Sequence, residues 1–214
     1  MAAVIRKRAN PAPLGMAGYG LTTVLLGLVF AGALPFVPGE SVVVPATIFF
    51  GGLAQVLAGL LESREGNTFG TTVFTSFGCF NIWFGSMVVL GDVGALTTKE
   101  NETALGVWLL LWAWLTWGFW IATFRLTRVV TMAVFVAAIT FTLLGLGNLI
   151  GSHAITIAGA WAAVITGALA TYGSSATLIN TELGRTVLPV GERPQVASDE
   201  MLLSSTLEVR QTPG

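Results

Sequence analysis

The chain has 214 residues, 54% hydrophobic and 10% charged, with a mean hydropathy of +0.79, whereas a soluble domain carries charge on roughly a quarter of its residues. A water-soluble fold is excluded, and the chain reads as an integral membrane protein. The net charge of −1 sits in short clusters between apolar runs, which excludes a nucleic-acid-binding face, and the lone Cys79 excludes an intrachain disulfide or a cysteine-ligated metal cluster.

Residues 1–15 form a cytoplasmic segment with basic Arg6, Lys7 and Arg8, followed by Asn10-Pro11-Ala12-Pro13-Leu14-Gly15. Two prolines this close break a helix interior but suit a helix start, where the first N–H groups have no internal partner. Asn10 is then the expected N-cap. No small-residue cleavage site follows the first apolar run, so a cleaved leader is not expected.

A helix crosses the hydrocarbon core with about 20 apolar residues. Six such runs are predicted: Met16 to Ala33, Val42 to Leu61, Phe69 to Leu90, Thr103 to Phe124, Val129 to Ile150 and Ala154 to Ile179. The fold class is therefore all-α, a polytopic membrane protein with its helices in 16–180 and a polar tail over 181–214. With the N-terminus inside, Arg6, Lys7, Arg8, Arg64, Arg125, Arg128, Arg185, Arg193 and Arg210 all fall on the inner side and only Lys99 outside. That bias places both termini in the cytoplasm. No duplicated unit is expected from the short Gly and Thr-Thr repeats.

No enzyme constellation is present. His153 is the single histidine and falls in a predicted outer loop, so triad, zinc and paired-carboxylate chemistry all lack their residues. The predicted spans contain no Asp, Glu, Lys or Arg, which leaves a carboxylate relay for ion pumping without support. No cofactor is expected.

Helical spacing instead sorts hydroxyls, amides and aromatics onto faces. Gly15, Tyr19, Thr22, Thr23 and Leu26 share a side of the first helix; Gly70, Phe74, Phe77, Asn81 and Phe84 of the third; Ala137, Thr140, Phe141, Leu144 and Asn148 of the fifth. Aromatic bulk with a few hydrogen-bonding groups suits a narrow pathway for a small, weakly polar solute. The opposite stripe of Thr68, Thr72, Thr75 and Cys79 is assigned to helix or subunit packing, as are Gly52 and Gly59, seven apart on the second helix. Gln55, an amide within the membrane, must find a partner, either protein or solute. Glu62, on the same side as Arg128 and Arg185, is expected in an interfacial ion pair. His153 is expected to be solvated.

The motifs together resemble the acetate and succinate uptake transporter family of six-helix membrane proteins. They are Asn10-Pro11-Ala12-Pro13-Leu14-Gly15, Gly51-Gly52-Leu53-Ala54-Gln55, Gly59-Leu60-Leu61-Glu62, Gly66-Asn67-Thr68-Phe69-Gly70, Phe74-Thr75-Ser76, Gly147-Asn148 and Gly184-Arg185-Thr186-Val187-Leu188-Pro189. The resemblance covers nearly the whole chain to about Gly191. It implies a proton-coupled or channel-like carrier of acetate, related short monocarboxylates and in some members succinate, built as a homo-hexamer in the plasma membrane with a pathway in each protomer. It also implies a constriction at the positions of Tyr19, Phe77 and Ala137. Two departures stand out: the hydroxyl sits on the first aromatic, Tyr19, and the third position is small, which leaves either a wider constriction or one closed by Phe141 or Leu144.

Thr22, Gln55, Asn81 and Asn148 are the candidate polar contacts along this pathway. The inner-mouth motif of Asn10, Pro11, Pro13 and Gly15 is expected to fix how the first helix enters the membrane and so to aim Tyr19. Two other readings stay open: a channel for neutral solutes such as urea or small amides, and a non-transporting scaffold or sensor.

Overall fold

The computed structural model describes residues 9–35, 42–95 and 98–193. Arg6, Lys7, Arg8 and Arg210, and residues 36–41 between the first two predicted spans, lie outside the described residues. The helices are α1 (Ala12–Phe30), α2 (Val43–Arg64), α3 (Thr68–Asp92), α4 (Thr98–Ala122), α5 (Arg128–Leu149) and α6 (His153–Leu183). Six of six predicted spans are present, and no strand occurs among the described residues.

The ends differ from expectation for local reasons. α1 starts at Ala12 rather than Met16, because Pro11 is itself the cap residue and Pro13 falls in the first turn, where its missing N–H costs nothing. Asn10 still serves that end: its Oδ1 accepts from Ala12 N–H at 3.0 Å. α4 begins at Thr98, so Lys99 belongs to a helix rather than a loop. α3 and α5 start at side-chain caps, with Asn67 Oδ1 accepting from Gly70 N–H (3.1 Å) and Thr127 Oγ1 from Val130 N–H (3.4 Å). α6 ends at Gly184, left-handed at φ 63°. Within α2 the stretch Ala46–Ala54 is wound as a π-helix around Gly51 and Gly52, a local widening that recurs at functional sites.

The helices close into a ring: α1 packs on α2 and α6, α2 on α3, and α4, α5 and α6 follow in order. Glycines set the tight seams. A Cβ on Gly20 would stand 2.4 Å from Thr171 Oγ1 and one on Gly27 2.8 Å from Ala160 O, which draws α1 onto α6. Gly52 meets Gly78 O, and Gly59 meets Thr75 Oγ1, so the expected close crossing of α2 with α3 is present.

The α3–α4 seam is built oppositely. Phe77 stacks on Trp112 with centroids 5.6 Å apart, Phe80 meets Trp112 at 4.8 Å and Trp83 meets Trp108 at 5.6 Å. Large rings hold these two backbones apart where glycines hold the others together. Outside the ring, Leu21, Phe49, Leu57, Trp114 and Ile165 are exposed, as apolar side chains are where the surroundings are lipid or another subunit.

Candidate functional site

A cavity of about 640 Å³ opens at one end of the ring. All the described arginines lie at this end by the up-and-down connectivity: Arg64 ends α2, Arg125 and Arg128 flank the α4–α5 turn, and Arg185 and Arg193 follow α6. The mouth is lined by Ala12, Asn67, Arg125, Glu192 and Arg193, and the walls by Val73, Phe74, Val130, Ala133 and Ala170 among others. Inward, the lining ends at Tyr19, Gln55, Phe77 and Ala137. The lining is thus mainly apolar, with its polar groups concentrated at the two ends, as in small-molecule pockets generally.

Tyr19 and Phe77 meet at that inner end with ring centroids 5.0 Å apart. Phe77 is held on its other sides by Trp112, by Phe119 at 5.9 Å and by Phe141 at 6.0 Å with planes within 3° of parallel. Ala137 is buried on the cavity wall, and its small size leaves space that Phe141, one turn on, occupies by bracing Phe77. Leu144 packs both against Gly159 of α6 and against the buried cluster that contains Phe77 and Phe141.

Of the four candidate polar contacts, Gln55 alone lines the cavity. Its Oε1 accepts from Asn81 Nδ2 at 3.4 Å, while its Nε2 is buried with no hydrogen-bond partner among the described residues. Gln55 is 0% exposed, and an unsatisfied buried donor costs about 1–3 kcal/mol. The other three side chains are spent locally: Thr22 Oγ1 donates to Gly18 O (2.6 Å), Asn81 Nδ2 also to Phe77 O (3.0 Å), and Asn148 Nδ2 to Leu144 O (2.8 Å). Thr22 and Asn81 nevertheless meet across Gly51, four residues before Gln55, where a Cβ would stand 2.7 Å from Thr22 Oγ1 and 3.1 Å from Asn81 Cγ. Only glycine lets these groups converge there.

The expected ion pair of Glu62 with Arg128 or Arg185 is not formed among the described residues. Glu62 is 2% exposed; its Oε2 accepts from Asn67 Nδ2 at 2.7 Å and its Oε1 is buried without a hydrogen-bond partner. The reason is geometric. Asn67 caps α3 immediately after the α2–α3 turn, and the glycine at position 70 gives the carboxyl room, since a Cβ there would stand 2.8 Å from Glu62 Cδ. Arg128 and Arg185 are exposed, and His153, expected in a loop, is the exposed first residue of α6.

In the motif that opens α1, Asn10 is exposed, Pro13 O accepts from Ser174 Oγ of α6 at 2.6 Å, and Gly15 receives the ring of Phe74. Its one residue on the cavity is Ala12. Arg125, Arg193 and Glu192 were missed by helical-face sorting because they belong to no span. The available signal was the pair of polar side chains Tyr172 and Asn180 in α6, which tie down the segment carrying Glu192 and Arg193.

Six membrane-length helices around a cavity lined in part by a buried amide define a multi-pass membrane protein built around a solute pathway. The chain belongs to the GPR1/FUN34/yaaH family, whose sequence model matches residues 1–195. It is 41% identical over 186 residues to the succinate-acetate/proton symporter SatP of Escherichia coli, an alignment covering 87% of this chain and 97% of that protein. It is 39% identical over 178 residues to ammonia transport outward protein 2 of Saccharomyces cerevisiae, covering 81% of this chain and 63% of the yeast protein. The solved structure of the bacterial acetate channel SatP superposes with a TM-score of 0.82 at 39% identity, over 86% of this chain and all of that one.

Proposed function

We propose that this protein moves acetate and related short monocarboxylates across the cytoplasmic membrane through the cavity in each protomer. The observation that carries the reading is the free Nε2 of Gln55, a residue that lines the inner part of the cavity together with Tyr19 and Phe77. A carboxyl oxygen is the small acceptor that such a donor lacks, and a methyl group suits the apolar wall. The similarity to a succinate-acetate/proton symporter and to an acetate channel supports the same substrate class.

Passage as the neutral acid, or with a co-transported proton, avoids placing a bare carboxylate against the two rings. The arginine-rich mouth is the cytoplasmic one by the positive-inside rule. The broad apolar outer surface offers area for assembly into a hexamer as well as for lipid.

A neutral-solute channel draws on the uncharged inner end of the cavity and on the yeast relative named for ammonia transport. A scaffold without a pathway gives no account of a cavity of this size. Uptake of labelled acetate into proteoliposomes tests the reading: saturable uptake that excess urea leaves unchanged is expected. Wild-type flux equal to that of empty liposomes overturns it, and inhibition by urea shifts it to the neutral-solute channel.

A further inference from the structure

α5 starts at the cavity mouth, and the amides of a helix's first turn lack helical partners. Two of them are satisfied from far along the chain: Arg128 N–H donates to Gly191 O at 2.9 Å and Val129 N–H to Val190 O at 3.2 Å. The acceptors belong to residues 186–193, a strap that follows α6. α6 itself holds it down. Asn180 Oδ1 accepts from Val187 and Leu188 N–H at 2.8 and 3.0 Å, Asn180 Nδ2 donates to Leu188 O at 2.8 Å, and Tyr172 OH donates to Pro189 O at 2.8 Å.

Val190, within the strap, is buried. Gly191 has φ +67°, and a Cβ there would stand 2.7 Å from Arg128 Cβ, so both its conformation and its surroundings require glycine. The strap carries Glu192 and Arg193 onto the cavity wall. The Arg193 guanidinium donates to Phe124 O and to Thr131 Oγ1 (3.3 Å), which fixes it beside the turn that carries Arg125. Among the described residues, Arg125, Arg193 and Glu192 are the charged groups lining the cavity, leaving one net positive charge at its mouth. Low-dielectric walls concentrate such a field and raise the local concentration of an anion.

We propose that Arg193, positioned by the strap, and Arg125 form a guanidinium vestibule that captures the carboxylate anion before it reaches Gln55. The proposal rests on the acetate-transport reading of the same cavity. It makes the segment after the last span part of the substrate path, and it gives Arg193 a role in capture rather than in passage between the rings.

The test is the acetate concentration dependence of uptake in vesicles of phosphatidylcholine alone, which contain no anionic lipid to occupy the arginines. At low salt, R193Q and R125Q should each raise the half-saturating concentration by about tenfold with little change in maximal rate. R193K, which keeps the charge, should recover most of the affinity. Raising salt to about 0.5 M should lift the wild-type value toward that of the variants and leave theirs nearly flat. R125Q involves no strap contact, so it carries the test if R193Q fails to assemble on size exclusion. Unchanged half-saturation in R125Q and in an assembled R193Q, or the same salt dependence in wild type and variants, overturns the vestibule while leaving acetate transport standing. Absence of wild-type uptake overturns both.

Discussion

Tyr19 of α1 and Phe77 of α3 meet at the inner end of the cavity with centroids 5.0 Å apart and planes tilted by 38°. The two rings are not equivalent. Phe77 is 3% exposed and sits in the aromatic cluster with Trp112, Phe119 and Phe141, whereas the described ring contacts of Tyr19 end at Phe77. Removing Phe77 empties a core position, at a cost of about 3–5 kcal/mol.

Tyr19→Ala is therefore the cleaner probe of closure. It should widen the inner end without dismantling the cluster, and the ratio of butyrate to acetate uptake should rise by roughly an order of magnitude, since chain-length discrimination in an apolar slot is worth about 1–3 kcal/mol. Paired uptake assays with the two labelled acids measure this. A ratio unchanged from wild type would place the size filter elsewhere. Phe77→Ala should instead lower thermal stability in detergent by more than Tyr19→Ala does.

Gln55 separates function from stability in the opposite sense. Its free Nε2 is a liability in the empty protein and an asset when a carboxyl oxygen is present. Gln55→Leu removes the donor and also the 3.4 Å contact from Asn81, which retains Phe77 O as acceptor. The variant should melt at or above the wild-type temperature while its half-saturating acetate concentration rises by about tenfold or more, as expected for the loss of one hydrogen bond to a charged or strongly polar group. Lower stability with unchanged half-saturation would make Gln55 a packing residue.

How much of this was legible in the sequence depended on which forces act locally. Hydropathy located all six helices because each span must satisfy its own backbone in lipid. Helical spacing grouped Tyr19, Phe77 and Ala137 with four other residues each on one face of their helices, and the family resemblance singled out these three; they line the cavity, whereas Thr23, Phe84 and Thr140 on the same faces do not. The glycine spacing of Gly52 and Gly59 anticipated the α2–α3 crossing. Spacing could not say which polar side chains are spent on their own helix. Thr22, Asn81 and Asn148 donate to carbonyls four residues back, a local satisfaction open to any Ser, Thr or Asn in a helix. Gln55 has Asn81 on its acceptor and nothing on its donor, a distinction that appears only when α2 and α3 are placed together. The strap was hidden for a similar reason: its anchors, Asn180 and Arg128, belong to different helices, and its own residues carry no periodic signal.

Glu62 illustrates how like-sided charges need not pair. Buried against Asn67 and the glycine at position 70, it should show a coupling energy near zero with Arg128 and with Arg185 in double-mutant cycles read by thermal stability. Coupling to Asn67 should be clear, on the order of 1 kcal/mol or more, because Asn67→Ala leaves the remaining carboxylate oxygen unsatisfied as well as uncapping α3. A coupling above about 1 kcal/mol between Glu62 and either arginine would restore the ion pair.

The start of α1 provides the last test, because two separate contacts set the entry of that helix. Asn10 Oδ1 holds the Ala12 N–H, and Ser174 Oγ of α6 holds Pro13 O. Asn10 is exposed and Ser174 is buried, yet each holds one backbone group of the same helix start. Asn10→Ala removes a first-turn acceptor, at a cost of about 0.5–2 kcal/mol. Ser174→Ala removes a link between two helices, at a cost of about 1 kcal/mol, the net worth of one hydrogen bond. Neither side chain lines the cavity, so both variants should lower the yield of assembled protein or the maximal flux while the butyrate-to-acetate ratio stays at the wild-type value. The double variant should be worse than either single one, because α1 then loses both restraints and Tyr19, two turns further on, is no longer aimed at Phe77. A changed acid preference in Asn10→Ala with normal assembly would instead make Asn10 a direct contact of the substrate.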